Sequence, residues 1–543
     1  MASVIGKRIG GRTYYYLAES ARVDGEPRVV GQRYLGTAEE IAGALAGGGS
    51  APGGARHRTF GDIAAVWGTL RRLDLVRRVD AVVGPQRAKT TLGLHLALAV
   101  LHRATAPGTA LGEWWSGSAA QDLVRPRPPK AAVTTEAHWR ALQRLTPERI
   151  TAIETAIAEA VLDLLGDDGT SALAVDVPQF AAFTAADCTL PSACQDVLAG
   201  LGLVVTRDGA IPLSSRIYRR EGGAAPTFGA LAGELGERYP ATGLTLVFHS
   251  GQAAQLDLGA RSGFVGSLPL ADHPELLTQP ASLRRRVDPE RFAGLTAIDT
   301  RAVVDGVRRR VILTHSATLH AAQSRAFADE LSTAVRELDG LAAALAAGTH
   351  RGDRAQVRSE IARVTRGRRA ERVLTTTLSG THPGGLRLTW QVDQAAVTRL
   401  VDEFFGKQIL VTDHDWPVAE VVTAYRARTH LESTFRWLTG PAAVGPRPRW
   451  EWTRHRIAVH TLVSVLAATV THVMRREADN AGMNLSVGEL LDQLCGIGET
   501  VLRYPSTGGR PRARRILTDR DPAQQALYEL FGLAEFAPDQ LSR

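Results

Sequence analysis

Short apolar segments follow one another closely after Ser171, and their order restricts the fold that this chain can adopt. Five strand-like segments lie at 173–177, 202–206, 211–218, 244–248 and 263–268. A helical stretch at 228–235 separates the third from the fourth, and a short helix-compatible stretch separates the fourth from the fifth. The order is therefore three strands, a helix, a strand, a helix and a strand. This order is expected of a mixed sheet with helices on its faces. The sequence therefore predicts an α/β fold.

The segments before this predicted sheet have a different character. Residues 1–46 are basic and aromatic, with a strand-turn-strand pattern around Asp24-Gly25 that is typical of a β-hairpin. Residues 47–56 form a Gly-rich linker. Residues 57–168 show helical periodicity, and arginines crowd the first two helices. Two interpretations of this helical segment remain open, a DNA-binding domain and a solvated basic face.

A long insertion follows the first part of the sheet region. The first part of the sheet region covers 169–270, and the insertion covers 271–416. Apolar residues recur at helical spacing in 327–345 and again in 357–364, which predicts a helical hairpin. Packing within a core and contact between two subunits both explain this apolar stripe. Strand-like sequence flanks the hairpin at 311–314 and 386–392.

The remaining segments are helical and then basic. Residues 417–480 read as two long helices, and the most apolar stretch, 457–473, contains His460 and His472. Polar residues at these positions favour a buried core helix over a membrane span. Residues 481–543 form a helical and basic tail with the arginine-rich run RYPSTGGRPRARR, for which disorder and phosphate contact are both open.

The net charge indicates the kind of partner, and the cysteine count limits the kinds of cross-link and metal site. The chain has 64 basic and 56 acidic side chains, a formal net charge of +8, so an anionic partner such as nucleic acid is favoured. Three cysteines are too few and too unevenly spread for a disulfide framework or a cysteine zinc site. With no secretory signal pattern at the N-terminus, we expect a cytoplasmic protein without a membrane partner.

Two carboxylates stand out as candidates for chemistry. Asp176 ends the first strand of the predicted sheet, where a charge after an apolar run is costly unless it is solvated, paired or bound to metal. Glu432 lies in the helical sequence AYRARTHLESTFRWL. Spacings of three and four place it on one helix face with Tyr425, Arg428 and Arg436. Alone, Arg428 and Glu432 are no more than an ion pair between residues one helical turn apart.

Several further segments belong with these two carboxylates. They are the Asp176 strand, TRDGAIPLSSRIYRREGGAAPTF at 206–228, FGKQILVTD at 405–413, the set Tyr425, Arg428 and Glu432, and PRWEWTRHRIAVH at 448–460. Together, these segments resemble the DDE transposases of bacterial insertion sequences. The subgroup that they resemble has a Tyr-Arg-Glu-Lys signature and a long insertion before its glutamate, and the similarity runs from the Tyr-rich N-terminal hairpin to about Tyr504.

The resemblance implies a fold, a reaction and partners. It implies a ribonuclease-H-like core whose two aspartates and one glutamate hold two divalent ions, Mg²⁺ or Mn²⁺, for phosphodiester cutting and joining. It also implies a nucleoid-associated homodimer that binds double-stranded DNA at the terminal inverted repeats of its element. Asp176 matches the first metal-binding position and Glu432 the last. Tyr425, Arg428 and Arg436 are then candidates for DNA contact.

This sequence departs from the family pattern at two positions. His249 stands where the second aspartate belongs, and a neutral imidazole cannot supply the bridging charge that draws two Mg²⁺ ions together. Thr439 stands where the signature has lysine, so the DNA contact expected there loses its charge. We therefore predict an impaired transposase with His249 in the second catalytic place, or one that works with Mn²⁺. The alternative is a catalytically inactive DNA-binding protein with a regulatory or architectural role.

Overall fold

The computed structural model describes residues 2–9, 12–23, 26–38, 54–166, 172–177, 199–219, 245–248, 263–304, 306–365, 369–439, 454–504 and 512–537. These residues belong to two compact units. The first consists of Met1–Ala64, Trp115–Leu123 and Gln493–Arg543, and the second consists of Ala65–Trp114 and Val124–Asp492. The helical segment expected at 57–168 is therefore divided between the units.

The strands and helices of the described residues are numbered in chain order. The strands are β1 Ala2–Ile9, β2 Arg12–Val23, β3 Glu26–Thr37, β4 Gly54–Thr59, β5 Ala172–Val177, β6 Ala199–Thr206, β7 Pro212–Arg219, β8 Thr245–Phe248, β9 Phe264–Leu268, β10 Arg285–Arg286, β11 Leu295–Val304, β12 Val307–Ser316, β13 Leu374–Ser379, β14 Arg387–Val392, β15 Lys407–Thr412, β16 Gly498–Tyr504 and β17 Arg512–Leu517. The helices are α1 Gly61–Arg72, α2 Leu75–Val83, α3 Leu92–Thr105, α4 Leu111–Gly117, α5 Ala120–Leu123, α6 Thr135–Leu142, α7 Pro147–Leu165, α8 Pro274–Leu277, α9 Ala317–Ala346, α10 Arg354–Thr365, α11 Gln394–Arg399, α12 Val418–Thr439, α13 Arg454–Asn480, α14 Val487–Cys495 and α15 Pro522–Leu530.

The first unit contains two antiparallel sheets. Strands β2 and β3 confirm the predicted hairpin, and β1 adds a third strand to it. The second sheet has the order β17-β16-β4. Its β4 begins at Gly54, inside the segment assigned to a linker, and its β17 contains the end of the arginine-rich run. On its inner face the fully buried Glu499 pairs with Arg58 and Arg515.

The second unit contains a mixed nine-stranded sheet, which confirms the α/β class. Its order is β10-β11-β12-β15-β9-β8-β5-β6-β7. Strand β6 runs antiparallel to β5 and β7, whereas β8 and β9 run parallel to β5. Helix α7 packs on the edge strand β7, where the buried Glu154 accepts a hydrogen bond from Ser215. The helical stretch expected at 228–235 lies outside the described residues.

The insertion extends this sheet. Strand β9 pairs with β15, β15 with β12, and β12 with β11, all antiparallel. Between β12 and β15 the predicted helical hairpin is present as α9 and α10, and the Ser316 side chain caps α9 by accepting a hydrogen bond from the backbone of Leu319. Packing within a core is confirmed as the role of the apolar stripe. Its buried residues include Ala334, Leu338, Leu345, Val357, Ile361 and Val364.

Two long helices follow the insertion. The buried residues of α12 recur every three or four positions, so that one face packs against β5, β8 and β9. The stretch Ala458–Asn480 of α13 is long and apolar enough to cross a membrane, but 89% of its apolar window is buried inside the protein. Within it, the fully buried His472 bonds the Thr434 hydroxyl and the Gly209 carbonyl, at 2.9 Å each. The prediction of a core helix in this region is confirmed.

Candidate functional site

Asp176 lies one residue before the end of β5. It is opposite Gly202 of β6, and its neighbour Val175 is opposite Val247 of β8. Because parallel strands end at the same edge of a sheet, β5, β8 and β9 all finish on the side of Asp176. We call this side the carboxyl edge; the strands reach it at Val177, Phe248 and Leu268. The structure gives the backbone of Asp176 but not its side chain.

The other predicted site residue from the sheet is His249. Strand β8 ends at Phe248, and His249 is the next residue along the chain. It lies outside the described residues, as do residues 250–262. Its exchange for aspartate at the second ligand position therefore stays a prediction from sequence.

Helix α12 carries Glu432 toward the carboxyl edge. The helix starts at the opposite edge, where Glu420 is 3.5 Å from Arg207, the residue that follows β6. Further along, the Tyr425 hydroxyl donates a hydrogen bond to the Ser267 hydroxyl, 3.0 Å away and one residue before the end of β9. Glu432 is seven residues beyond Tyr425, about 10 Å at the helical rise. Glu432 thus lies on the side of the sheet where β5 ends with Asp176.

The Glu432 carboxylate forms an ion pair with Arg428 at 2.6 Å. Only 17% of the Glu432 side chain and 10% of the Arg428 side chain are exposed, so both charges are largely withdrawn from water. A desolvated carboxylate needs a compensating charge, and the guanidinium one turn earlier provides it. The ion pair that the sequence suggested is confirmed, and it holds the carboxylate at the carboxyl edge.

The predicted DNA-contact residues have different surroundings. Tyr425 and Arg428 are 6% and 8% exposed and face the protein interior. Arg436 is exposed and available to a partner. Thr439 is the last residue of α12, and its side chain is not described. Arg436 is therefore the exposed member of the set among those whose side chains the structure describes.

Ser267 is a site residue that sequence reasoning missed. It lies in FVGSL, a strand whose five residues are all buried. The signal was a polar residue in an otherwise apolar strand, since a buried hydroxyl requires a hydrogen-bond partner. That partner, Tyr425, is 158 positions away in the chain, so the sequence could not identify it.

The acidic cluster after β15 has a structural role. Asp413 accepts a hydrogen bond from the backbone of Phe264 at 2.8 Å, which joins β15 to the start of β9. His414 bonds the Thr245 hydroxyl at 2.9 Å and stacks on Trp416 with 3.8 Å between ring centroids. These contacts lie at the edge opposite Asp176 and join the segment after β15 to β8 and β9.

Among the side chains that the structure describes, no group of three or more His, Cys, Asp or Glu residues could hold a metal ion. The side chain of Asp176 and all of His249 are outside that set. No protein-family model matches this chain, and no curated protein matches it significantly. Its function is therefore inferred from the strand order, from α12 and from the residues at the carboxyl edge.

Proposed function

We propose that this chain is a DNA strand transferase of the kind represented by insertion-sequence DDE transposases, built on a ribonuclease-H-like core. The observation that carries the proposal is the strand order β7-β6-β5-β8-β9, with β8 and β9 parallel to β5. Three antiparallel strands, two further parallel strands and a helix that brings a glutamate to their carboxyl edge are the arrangement expected of such a core. The insertion before α12 also agrees with that family.

The donor set suits one transition-metal ion better than a pair of Mg²⁺ ions. Asp176 and Glu432 offer hard oxygen ligands, whereas His249 offers a neutral nitrogen. Arg428 already offsets the charge of Glu432, which weakens the attraction for a second cation. When bound, the metal would activate water or a 3′-hydroxyl and stabilise the leaving oxygen. We therefore propose activity that is impaired with Mg²⁺ and favoured by Mn²⁺.

The contribution of the chain's own residues is positional. Tyr425 fixes α12 to β9, and Arg428 orients the carboxylate of Glu432. Arg436 supplies an exposed cation beside them. The partner is double-stranded DNA with the terminal inverted repeats of the element, bound by a homodimer. The net charge of +8 favours this anionic partner.

A second candidate function is a catalytically inactive DNA-binding protein. His249 and Thr439 replace two residues of the signature. The Arg428–Glu432 ion pair favours the same reading, because a buried carboxylate that already has a guanidinium partner needs no metal ion for charge compensation. This protein would bind DNA with steep salt dependence and would cut nothing.

The decisive experiment is metal-dependent cleavage and strand transfer on duplex DNA that carries the sequences flanking the gene. Wild type, Asp176→Ala and His249→Asp are compared in Mg²⁺ and in Mn²⁺. Asp402→Ala, which removes an exposed carboxylate of the insertion, is the matched control. We expect wild-type activity that is higher in Mn²⁺, abolished by Asp176→Ala and raised in Mg²⁺ by His249→Asp.

The other outcomes separate the two candidates. Equal cleavage by wild type and Asp176→Ala would refute metal chemistry at this site. An inactive wild type together with an active His249→Asp variant would show that one residue, His249, prevents catalysis in a protein that still binds DNA. Salt-dependent DNA binding with no cleavage by any variant would favour the inactive protein.

A further inference from the structure

The hairpin formed by β11 and β12 extends past the ends of its neighbouring strands, and one of its faces is packed in the core, where Val304 is 3% exposed. Strand β15 ends at Thr412, opposite Arg310, and β10 pairs only with Thr296 and Ala297. Past these points β11 and β12 pair with each other, and no other strand of the described residues borders them. We call residues 301–304 and 306–309 the ribbon tip. It is two strands wide and about 10 Å long at the rise of a β-strand.

The ribbon tip presents positive charge without compensation. Arg301 is directly opposite Arg310, and like charges in that position repel each other. Asp299 binds Arg310 through two hydrogen bonds of 3.0 and 2.7 Å and so neutralises it. Arg301 and Arg308 are exposed and form no ion pair with any described residue. Asp305, between β11 and β12 in the sequence, lies outside the described residues.

Apolar side chains lie next to these arginines. Val303 is 64% exposed and is directly opposite Arg308. Val307, at the end of the tip, is 49% exposed. Exposed valines beside free guanidinium groups form a surface that water solvates poorly and that an anion would neutralise.

The strand register locates the tip relative to the candidate site. Residues directly opposite one another form a row that starts at Val175, the neighbour of Asp176, and ends at Arg301. The row passes through Val247, Val265, Thr412 and Arg310. Five strand spacings separate its ends, about 24 Å. Beyond Arg301 the tip extends away from the carboxyl edge, on the side of the sheet where β15 ends at Thr412.

We propose that the ribbon tip is a second contact surface for double-stranded DNA. Arg301 and Arg308, on the exposed side of the tip, bind phosphates of the duplex. This assignment rests on the proposed function, because it takes DNA to be the partner.

The test is equilibrium binding to a 30-base-pair duplex, measured by fluorescence anisotropy across a salt series. Arg301→Ala with Arg308→Ala should lower the slope of log affinity against log salt by about 1.8, since each phosphate contact contributes about 0.9. Arg325→Ala with Arg358→Ala removes two exposed arginines from α9 and α10 and serves as the control for net charge. Lysine at positions 301 and 308 should restore most of the slope, and circular dichroism checks the fold of each variant.

Each result decides for or against the ribbon tip. An unchanged slope in a wild type that binds DNA would overturn the proposal and leave the transposase function standing. An equal loss in the control pair would attribute the effect to net charge and would also overturn it. A fall in slope without strand transfer would support the tip and count against catalysis. Conversion of a dimer to a monomer with the DNA slope intact would show that the tip contacts a second copy instead.

Discussion

The hydrogen bond between Tyr425 and Ser267 should anchor α12 to the sheet, and its removal should destabilise the protein. The hydroxyl oxygens are 3.0 Å apart, and the two residues are 6% and 3% exposed. A buried hydrogen bond of this kind contributes about 1 kcal/mol, and an orphaned buried hydroxyl costs about 1 to 3 kcal/mol. We therefore expect Tyr425→Phe and Ser267→Ala each to lower the free energy of unfolding by about 1 to 2 kcal/mol.

A double-mutant cycle isolates the bond itself. The double variant should be no less stable than the worse single variant, with a coupling free energy of about 1 kcal/mol. Urea denaturation followed by tryptophan fluorescence gives the four free energies of unfolding. Tyr528→Phe is the control, because the Tyr528 hydroxyl has no hydrogen bond to any described residue. It should change the free energy of unfolding by less than about 0.5 kcal/mol.

The alternative role for Tyr425 is direct contact with DNA, as the sequence signature suggests. In that case Tyr425→Phe would weaken DNA affinity about tenfold and leave the free energy of unfolding unchanged. That result would refute the anchoring role. Zero coupling in the cycle would refute it as well, because the two hydroxyls would then act independently.

Two further predictions concern stability against pH. Burial raises the pKa of Asp62 to about 7, so the native state keeps this proton to higher pH than the unfolded chain, and stability falls between pH 3.8 and 7. Asp62→Asn should therefore be about 4 kcal/mol more stable than wild type at pH 8 and differ little from it at pH 4. Denaturation at the two pH values measures both differences. Burial, and then His95 and His102, lower the pKa of His138 to about 3, so stability should fall by about 1.4 kcal/mol for each pH unit between 6.5 and about 3. His138→Leu should flatten that acid limb in a pH series, and an unchanged limb would assign it to other groups.

The local sequence pattern was sufficient to predict most strands and helices of the second unit. The strand-like segments at 173–177 and 263–268 appear as β5 and β9, each within one residue at either end, and the first of the two long helices expected in 417–480 appears as α12. These elements are long or strongly apolar, and their periodicity follows from which face is buried.

Pairing between distant segments could not be read from the sequence. Strand β4 pairs with β16, more than 400 positions away, and nothing in Gly54–Thr59 encodes that partner. The alternation of arginine and histidine there does not indicate a strand by itself, because the buried carboxylate that pairs with Arg58, Glu499, is supplied by β16. The same limit hid the basic strand β17, whose arginines become acceptable in a strand only once that partner is present.

The positions of the candidate site residues within their strand and helix could be predicted, but their burial could not. The end of β5 at Asp176 and the shared helix face of Arg428 and Glu432 follow from local pattern. The burial of Tyr425 and Arg428 does not, because it depends on which strands α12 covers. A signature residue can therefore support the glutamate from inside the protein instead of touching a partner.

The pairing of β9 with β15 means that the insertion cannot be treated as a removable module. All five residues of β9 are buried, and residues 271–416 include its neighbour β15. A deletion of the whole insertion would leave an apolar strand with unpaired backbone groups at the new border of the sheet, which is a template for aggregation. A shortened chain that stays monodisperse would have to keep Lys407–Thr412, so any natural relative with a smaller insertion should retain this one strand.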